Sequence, residues 1–549
     1  MLDPAGWHPF GPAKQGAVLM AACVAVALAA KLPGRRLPRA VTWCWGALLA
    51  WLALAAAVGD DRLYAWVGTP ERRLGWVTWA LLAGCAWAGA RLAPGLRWWC
   101  RTAVVGGLGC GMYCLTELWW RAPVEVAGAT SRLGGPFGSA AYLGAAMCLM
   151  VPLAIGVAAA GDEPRAWRAA AAVAAWTCSV ALVGSGTRAA WVACAAVAVL
   201  VLVARRPSAR LVAVAAGLAA LAVVAVAPRL GDVAGREGAG GSSRVAEWEV
   251  AMRVIASQPV LGAGPEGYRI AFADGVDADY EREYGRDALP DRAHSGPLDV
   301  AAIGGVPAAL AHAALLALVA RRAWRVVRTG DARWVGVASA VLAYLVQQLA
   351  LFPLAELDPA WWLLAGALLA EPVLAPSVRP HRAASGAVLL AAVAVFVVSV
   401  VGVAADRSAR TALRHPPGSA AALAAARRSA RLRPDEVRYH LLVAATALDA
   451  GSVTGAREAV AATERAADVS PGDPVVRQAR AQARTSLARI TGQPGELAAA
   501  LGDWEALVGD DPFCGPCWYG LGVTRLVAAD AEGAQAAFDR ADELGQVVP

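Results

Sequence analysis

The chain has 549 residues, 58% of them hydrophobic, with a mean hydropathy of +0.48 and a formal net charge of +7. That much apolar side chain exceeds what one soluble core buries, so lipid must be the solvent for much of the protein. The basic residues, nearly all arginine, fall in short clusters between apolar runs, which excludes the long basic stripe or arm of a nucleic-acid-binding protein.

Met1 to Gln15 carries a single lysine and no small-residue cleavage site follows the first apolar run, so that run reads as a retained span. Apolar segments of about 20 residues, the length that crosses a bilayer, start near Gly16, Ala40, Leu74, Trp98, Gly138, Trp167, Ala189, Leu211, Leu298, Trp334, Ala360 and Ala384. The fold class expected is therefore all-α: a polytopic transmembrane bundle of about twelve spans over residues 1–404, followed by a helical repeat domain over 405–549. Arginine-rich connections follow the first span (Lys31, Arg35, Arg36, Arg39), the third (Arg91, Arg97, Arg101), the seventh (Arg205, Arg206, Arg210) and the ninth (Arg321, Arg322, Arg325, Arg328, Arg333). By the positive-inside rule these are cytoplasmic, and the protein is a multi-pass protein of the cytoplasmic membrane with both termini outside. The intervening connections, such as Asp60 to Arg73 and Phe352 to Pro359, mix charges or lack bases. Trp43, Trp66, Trp76, Trp98, Trp99, Trp119, Trp120, Trp334, Trp361 and Trp362 sit at predicted span ends and read as interfacial anchors. A sugar-stacking role for Trp119 or Trp120 is the alternative. Nine of the eleven cysteines lie among the spans with no metal-ligand spacing and read as small buried hydrophobes, so no metal and no cofactor is expected.

One long polar connection, residues 228–297, interrupts the spans and falls on the outer side, where a loop of that length usually has a function. A glycine-rich stretch from Gly231 to Gly241 leads into an amphipathic segment, with Ser242 or Ser243 placed to cap a helix and Glu247 in its first turns. Pro259-Val260-Leu261-Gly262-Ala263-Gly264 then demands tight turns and close backbone approach. The loop closes with Asp291-Arg292-Ala293-His294-Ser295-Gly296.

These stretches resemble the O-antigen ligase and O-antigen polymerase superfamily, whose members move polyprenyl-diphosphate-linked glycans at the outer face of the membrane. Gly184-Ser185-Gly186-Thr187-Arg188 is similar to that family's Ser-Arg-Gly segment at a span start. Arg244 with Trp248, and the proline-glycine run after them, resemble its Arg-x3-Trp and Pro-x2-Gly-x-Gly pattern. His294, followed by Gly304-Gly305, resembles its His-Asn segment with a glycine-containing helix behind it. The chain departs from the pattern in having Thr187 before Arg188 and alanine after it, and Ser295 after His294. The resemblance implies a membrane glycosyltransferase in which Arg188 and Arg244 bind the substrate diphosphate and His294 is catalytic. Its partners would be a polyprenyl-diphosphate-linked glycan donor and a hydroxyl-bearing glycan, lipid or protein acceptor.

The residues taken alone permit this chemistry. A guanidinium between apolar spans needs a cavity, a partner or an anion, and its planar fork suits a diphosphate; the alternatives are that Arg188 snorkels to the interface and that Arg244 is a solvated helix charge. A desolvated histidine beside arginines stays neutral and can accept a proton from a hydroxyl; an ordinary loop histidine is the other reading of His294. His312, within an apolar run, reads as a packed residue. Glu266, Asp274, Asp291 and Asp299 are candidates to orient the histidine, with nothing in the sequence to choose among them.

After about Ala405 the composition turns to alanine-rich amphipathic helices. Pro434, Pro471 and Pro512 recur in similar phrases, close to a tetratricopeptide period. Such repeats bind a protein partner or acceptor, or else steady the loop by packing. Cys514-Gly515-Pro516-Cys517 copies a redox motif but begins a repeat helix, which favours a local disulfide over redox catalysis. Two other function classes compete with glycan transfer: a transporter or flippase, which would show broken helices in matched halves, and a noncatalytic scaffold acting through its repeats.

Overall fold

The computed structural model describes all residues except 1–2, 33–34, 121–123, 125–131, 207–212, 214–215, 218–219, 228–239, 287–288, 372–381 and 548–549. Arg210, residues 211–212, 214–215 and 218–219 of the segment expected from Leu211, and most of the glycine-rich stretch from Gly231 lie outside the described residues. What is described is helical, with no strand and a single isolated bridge between Arg36 and Glu371.

Seven helices among the described residues are long and apolar enough to cross a membrane: Pro12–Ala29, Arg39–Val58, Ala140–Ala159, Arg165–Gly184, Arg188–Arg205, Gly296–Thr329 and Gly386–Arg414. Each begins within a few residues of an expected span start. Four further expected segments appear as Trp76–Leu92, Leu96–Trp119, Ala332–Gln347 and Asp358–Leu369. At 17, 16 and 12 residues, three of these are shorter than a full crossing, and the 24-residue Leu96–Trp119 carries arginines in its first turns.

Without a hydrophobic driving force between helices in lipid, close packing depends on small residues. A Cβ on Gly89 would sit 2.0 Å from the Leu363 carbonyl oxygen and one on Gly366 1.9 Å from that of Ala86, so Trp76–Leu92 and Asp358–Leu369 touch backbone to backbone. Gly156 and Gly336 do the same for Ala140–Ala159 and Ala332–Gln347. Trp361 and Trp362 lie inside this packing, 4% and 2% exposed, with Trp362 edge-on to Trp45. They are core residues rather than interfacial anchors. Trp43, Trp98, Trp119 and Trp120 are exposed, as a belt requires.

The connections sort to two poles. At one, Arg91 donates to the Ala29 and Leu32 carbonyls, Arg97, Arg101 and Arg333 converge on Glu163, and Arg205 donates to the Arg328 carbonyl. At the other, the 59–75 connection meets the long loop and the C-terminal helices. The first and last spans pack together, and at this second pole Asp3 pairs with Arg407 and His8 with Asp406.

The long loop is keyed into a broken helix. Gly296–Thr329 loses helical geometry at Gly305, whose φ is 67°, and the freed backbone groups are taken up by the loop. Val306 N–H donates to the Pro259 carbonyl, Ala263 N–H to the Ala302 carbonyl, and Trp51 Nε1 to the Val260 and Gly304 carbonyls. A Cβ at Gly305 would lie 2.2 Å from the Val260 oxygen, and one at Gly262 2.5 Å from that of Ala302.

Beyond the last span, helices 437–448 and 453–469, 474–491 and 494–510, and 515–527 and 531–543 form successive antiparallel hairpins. Each is preceded by a turn holding Pro434, Pro471 or Pro512, and all three turns press on the membrane half. Tyr64 Oη donates to the Asp435 carbonyl and Glu436 pairs with Arg73; Arg269 bridges Asp61 and Asp473; Arg286 bridges Glu281 and Asp511. Cys514 and Cys517 form a disulfide in the third turn, where Gly515 N–H donates to Glu281.

Gly305→Ala combines the left-handed backbone with a steric clash and should cost at least about 2 kcal/mol. A lowered melting temperature in detergent is expected, with no drop for the exposed helical Gly495→Ala; equal melting would show that the loop is not keyed at this point.

Candidate functional site

His294 is carried by the last turn of the long loop, and its position is set by its neighbour. Arg292 is fully buried, with Nη2 2.6 Å from Glu266 Oε2 and Nη1 3.2 Å from Asp299 Oδ2. Glu266 also accepts from Leu74 N–H at 2.7 Å and from Thr69 Oγ1 at 3.2 Å, and Asp299 accepts from Ala293 N–H. A buried guanidinium between two carboxylates is tolerated only where such bonds satisfy it. This triad ties together the 59–75 connection, the proline-glycine loop and the first turn of the Gly296–Thr329 helix. Glu266 and His294 are both in the left-handed region, at φ 62° and 48°, a conformation costing non-glycine residues roughly 1–2 kcal/mol that the triad must hold.

The His294 ring packs edge-on against Phe352, 5.3 Å between centroids, and Arg72 stacks over the same phenylalanine at 4.6 Å. Arg72 forms a two-point ion pair with Asp291, Nη2 to Oδ1 being 2.9 Å, and also bonds the Tyr142 hydroxyl. Burial alone would raise the Asp291 carboxyl, but Arg72 outweighs it and the pKa is lowered. Burial lowers the His294 imidazole to about 4, with Asp291 opposing and Arg244 and Arg72 reinforcing, so the ring is neutral at neutral pH.

Arg244 and Glu247 lie on one face of the helix Gly240–Ser257, one turn apart. That helix begins at Gly240, so Ser242 and Ser243 fall within its first turn; their side chains lie outside the described residues. Glu247 Oε2 is buried with no hydrogen-bond partner and faces His294 Nε2 at 4.0 Å. Burial raises the Glu247 carboxyl, with Arg244 opposing. A gap of 4.0 Å is too long for a direct bond, yet one hydroxyl oxygen at about 2.8 Å from each atom would fill it.

Arg188 is exposed as the first residue of its helix. Its neighbours Ser185 and Thr187 accept from Arg132, and Thr187 Oγ1 donates to the Ala140 carbonyl. Thr187 and Arg72 thus both reach the first turn of Ala140–Ala159, one through Ala140 and the other through Tyr142. The structure brings Arg244 and His294 into electrostatic range of each other and places Arg188 beside the same helix start. Of the four acids left open by the sequence, Glu266 and Asp299 clamp Arg292, Asp291 engages Arg72, and Asp274 bonds Gln258 at the surface. The acid that faces the imidazole is Glu247. Sequence reasoning missed it because nothing local links it to a histidine 47 positions on; it also passed over Arg72, whose Arg-Arg pair in a connection expected outside was the available signal. His312 is buried and edge-on to Trp79, consistent with a packed residue.

Residues 173–313 match a family model described as O-Antigen ligase. The matched segment spans Arg188, Arg244, Glu247 and His294, and supports the O-antigen ligase superfamily for this chain. No curated protein matches the chain. The matched segment also contains Glu266, Arg292 and Asp299.

Arg292→Met would leave two carboxylates buried without a counter-charge, a loss of about 3–5 kcal/mol. Thermal unfolding of the solubilised protein should show it, with Glu266→Gln intermediate; wild-type stability in Arg292→Met would remove the triad as the clamp on this loop.

Proposed function

We propose that the protein is a metal-independent glycan ligase or polymerase that transfers glycan from a polyprenyl diphosphate to a hydroxyl acceptor at the outer face of the cytoplasmic membrane. The observation that carries this reading is the neutral His294 imidazole facing the unpartnered Glu247 oxygen beside Arg244, inside the segment matching the O-Antigen ligase family. The acceptor hydroxyl lies between His294 and Glu247. Its oxygen attacks the anomeric carbon of the donor glycan as the bond from that carbon to the phosphate oxygen breaks. The diphosphate leaves with the electron pair, its charge met by Arg188 and Arg244. The hydroxyl proton passes to His294, and the Glu247 carboxylate balances the imidazolium that forms. The pole bearing the Arg97, Arg101 and Arg333 cluster is cytoplasmic and the pole bearing the site is outside.

Residues 405–549 are read as a tetratricopeptide-like domain, distinct from the transferase domain of residues 1–404. Its proline turns are already occupied, the first by the 59–75 connection and the other two by the long loop, which supports steadying these segments as its first role. A protein partner or acceptor would have to use the remaining hairpin surface.

In cells whose only copy carries His294→Ala or Arg188→Ala, surface glycan should fall in amount or chain length while lipid-linked precursor accumulates, provided insertion is normal; an unchanged glycan profile would sink the mechanism. With purified protein, His294→Ala should slow transfer about 10²–10⁴-fold. Activity should persist as pH falls through 6.5 and be lost only toward about 4, where His294 protonates. An acid limb centred near 6.5 would contradict a desolvated base.

A further inference from the structure

The last span offers a second site, unrelated to glycan transfer. Gly386–Arg414 is the most apolar of the candidate spans among the described residues, with a mean hydropathy of 2.9 over its best window, of which only 11% is buried. Val393, Phe396, Val397 and Val400 are each more than half exposed, so this helix meets lipid over most of its circumference. It continues beyond the apolar run, and Ala420–Leu432 returns antiparallel to it, joined by Ser408 Oγ donating to the Ala425 carbonyl. The returning helix therefore brings its C-terminal end back toward the membrane boundary.

Between the two helices lies an open groove of about 670 Å³, walled by Val400 and Val403 on the exiting helix and by Arg428 and Arg431 on the returning one. The basic residues around it are engaged: Arg407 with Asp3, Arg427 with Glu458, Arg433 with Asp435 and Glu436, and Arg410 with the Gly6 carbonyl. Arg428 and Arg431 are exposed, one turn apart on the same face, and make no hydrogen bond or ion pair among the described residues. Two free guanidinium groups beside lipid-facing valines match a ligand with a phosphate at one end and an acyl chain at the other.

We propose that this groove holds an anionic phospholipid, its phosphate on Arg428 and Arg431 and the start of an acyl chain against Val400 and Val403. The bound lipid fixes the height of the first hairpin above the bilayer, and with it the hairpins whose turns press on the long loop.

The test uses the full chain, purified, delipidated and titrated with phosphatidylglycerol or phosphatidylcholine, bound lipid being read by native mass spectrometry. Wild type should prefer phosphatidylglycerol, and Arg428→Gln/Arg431→Gln should weaken that binding roughly 30-fold, about fivefold per arginine. Arg489→Gln, an equal loss of exposed charge in a distant hairpin, should leave it unchanged, and Val400→Gln/Val403→Gln should weaken it with the charges intact. Thermal unfolding of each variant in lipid-free detergent checks that it is folded. Absence of a preference in wild type, an unaltered affinity in the double arginine variant, or displacement of the lipid by equimolar inorganic diphosphate would overturn the proposal.

Discussion

Arg292 between Glu266 and Asp299 is the interaction on which the rest of the site depends. A guanidinium with no exposure cannot be neutralised, so the two carboxylates and the groups that bond them must stay where they are. Each comes from a different stretch of chain: Glu266 from the proline-glycine loop, with Thr69 and Leu74 behind it from the 59–75 connection, and Asp299 from the first turn of a helix that breaks six residues later. The triad holds the loop that carries His294 and takes no part in the proposed transfer. His294, two places after Arg292, has a left-handed backbone.

The same logic extends outward in the C-terminal hairpins. Their three proline turns meet the membrane half through ion pairs: Glu436 with Arg73, Asp473 with Arg269, Asp511 with Arg286. Arg269 shows how tightly the halves are joined, because it takes Asp61 from one connection and Asp473 from a hairpin turn in a single guanidinium. A joint of this kind fixes register, as charges in low dielectric tolerate few alternative partners. It leaves most of each hairpin's remaining surface uncommitted.

Much of this was legible in the sequence wherever the signal was local. Long apolar runs mark the seven helices among the described residues that are long and apolar enough to cross a membrane, because length and hydropathy alone decide them. The sequence marks Gly262 and Gly264 for close approach and Gly304-Gly305 only by family resemblance, and the structure shows what approaches: the loop backbone fills the gap in a helix broken at Gly305. Reading failed where meaning depends on distant partners. Trp361 and Trp362 have the composition of interfacial anchors but sit on a 12-residue helix whose ends are inside the bundle. Glu247 became significant only through a histidine 47 residues later, and Arg72 through a phenylalanine 280 residues later. No periodicity encodes such pairings, which arise from loop closure at one pole of the bundle.

The packing of the first span against the last has a temporal side. Helix Pro12–Ala29 finds its principal neighbour in Gly386–Arg414, and Asp3 and His8 find theirs in Arg407 and Asp406, some four hundred positions on. At about 5–20 residues per second, roughly 20–80 s of translation separate the two. Throughout that interval the amino-terminal helix, with Lys14 near its start, sits in the bilayer without the partner that later covers it. Biogenesis of this protein is therefore a ring closure completed late in synthesis, and any factor that shelters its first helix must wait for its twelfth expected segment before letting go.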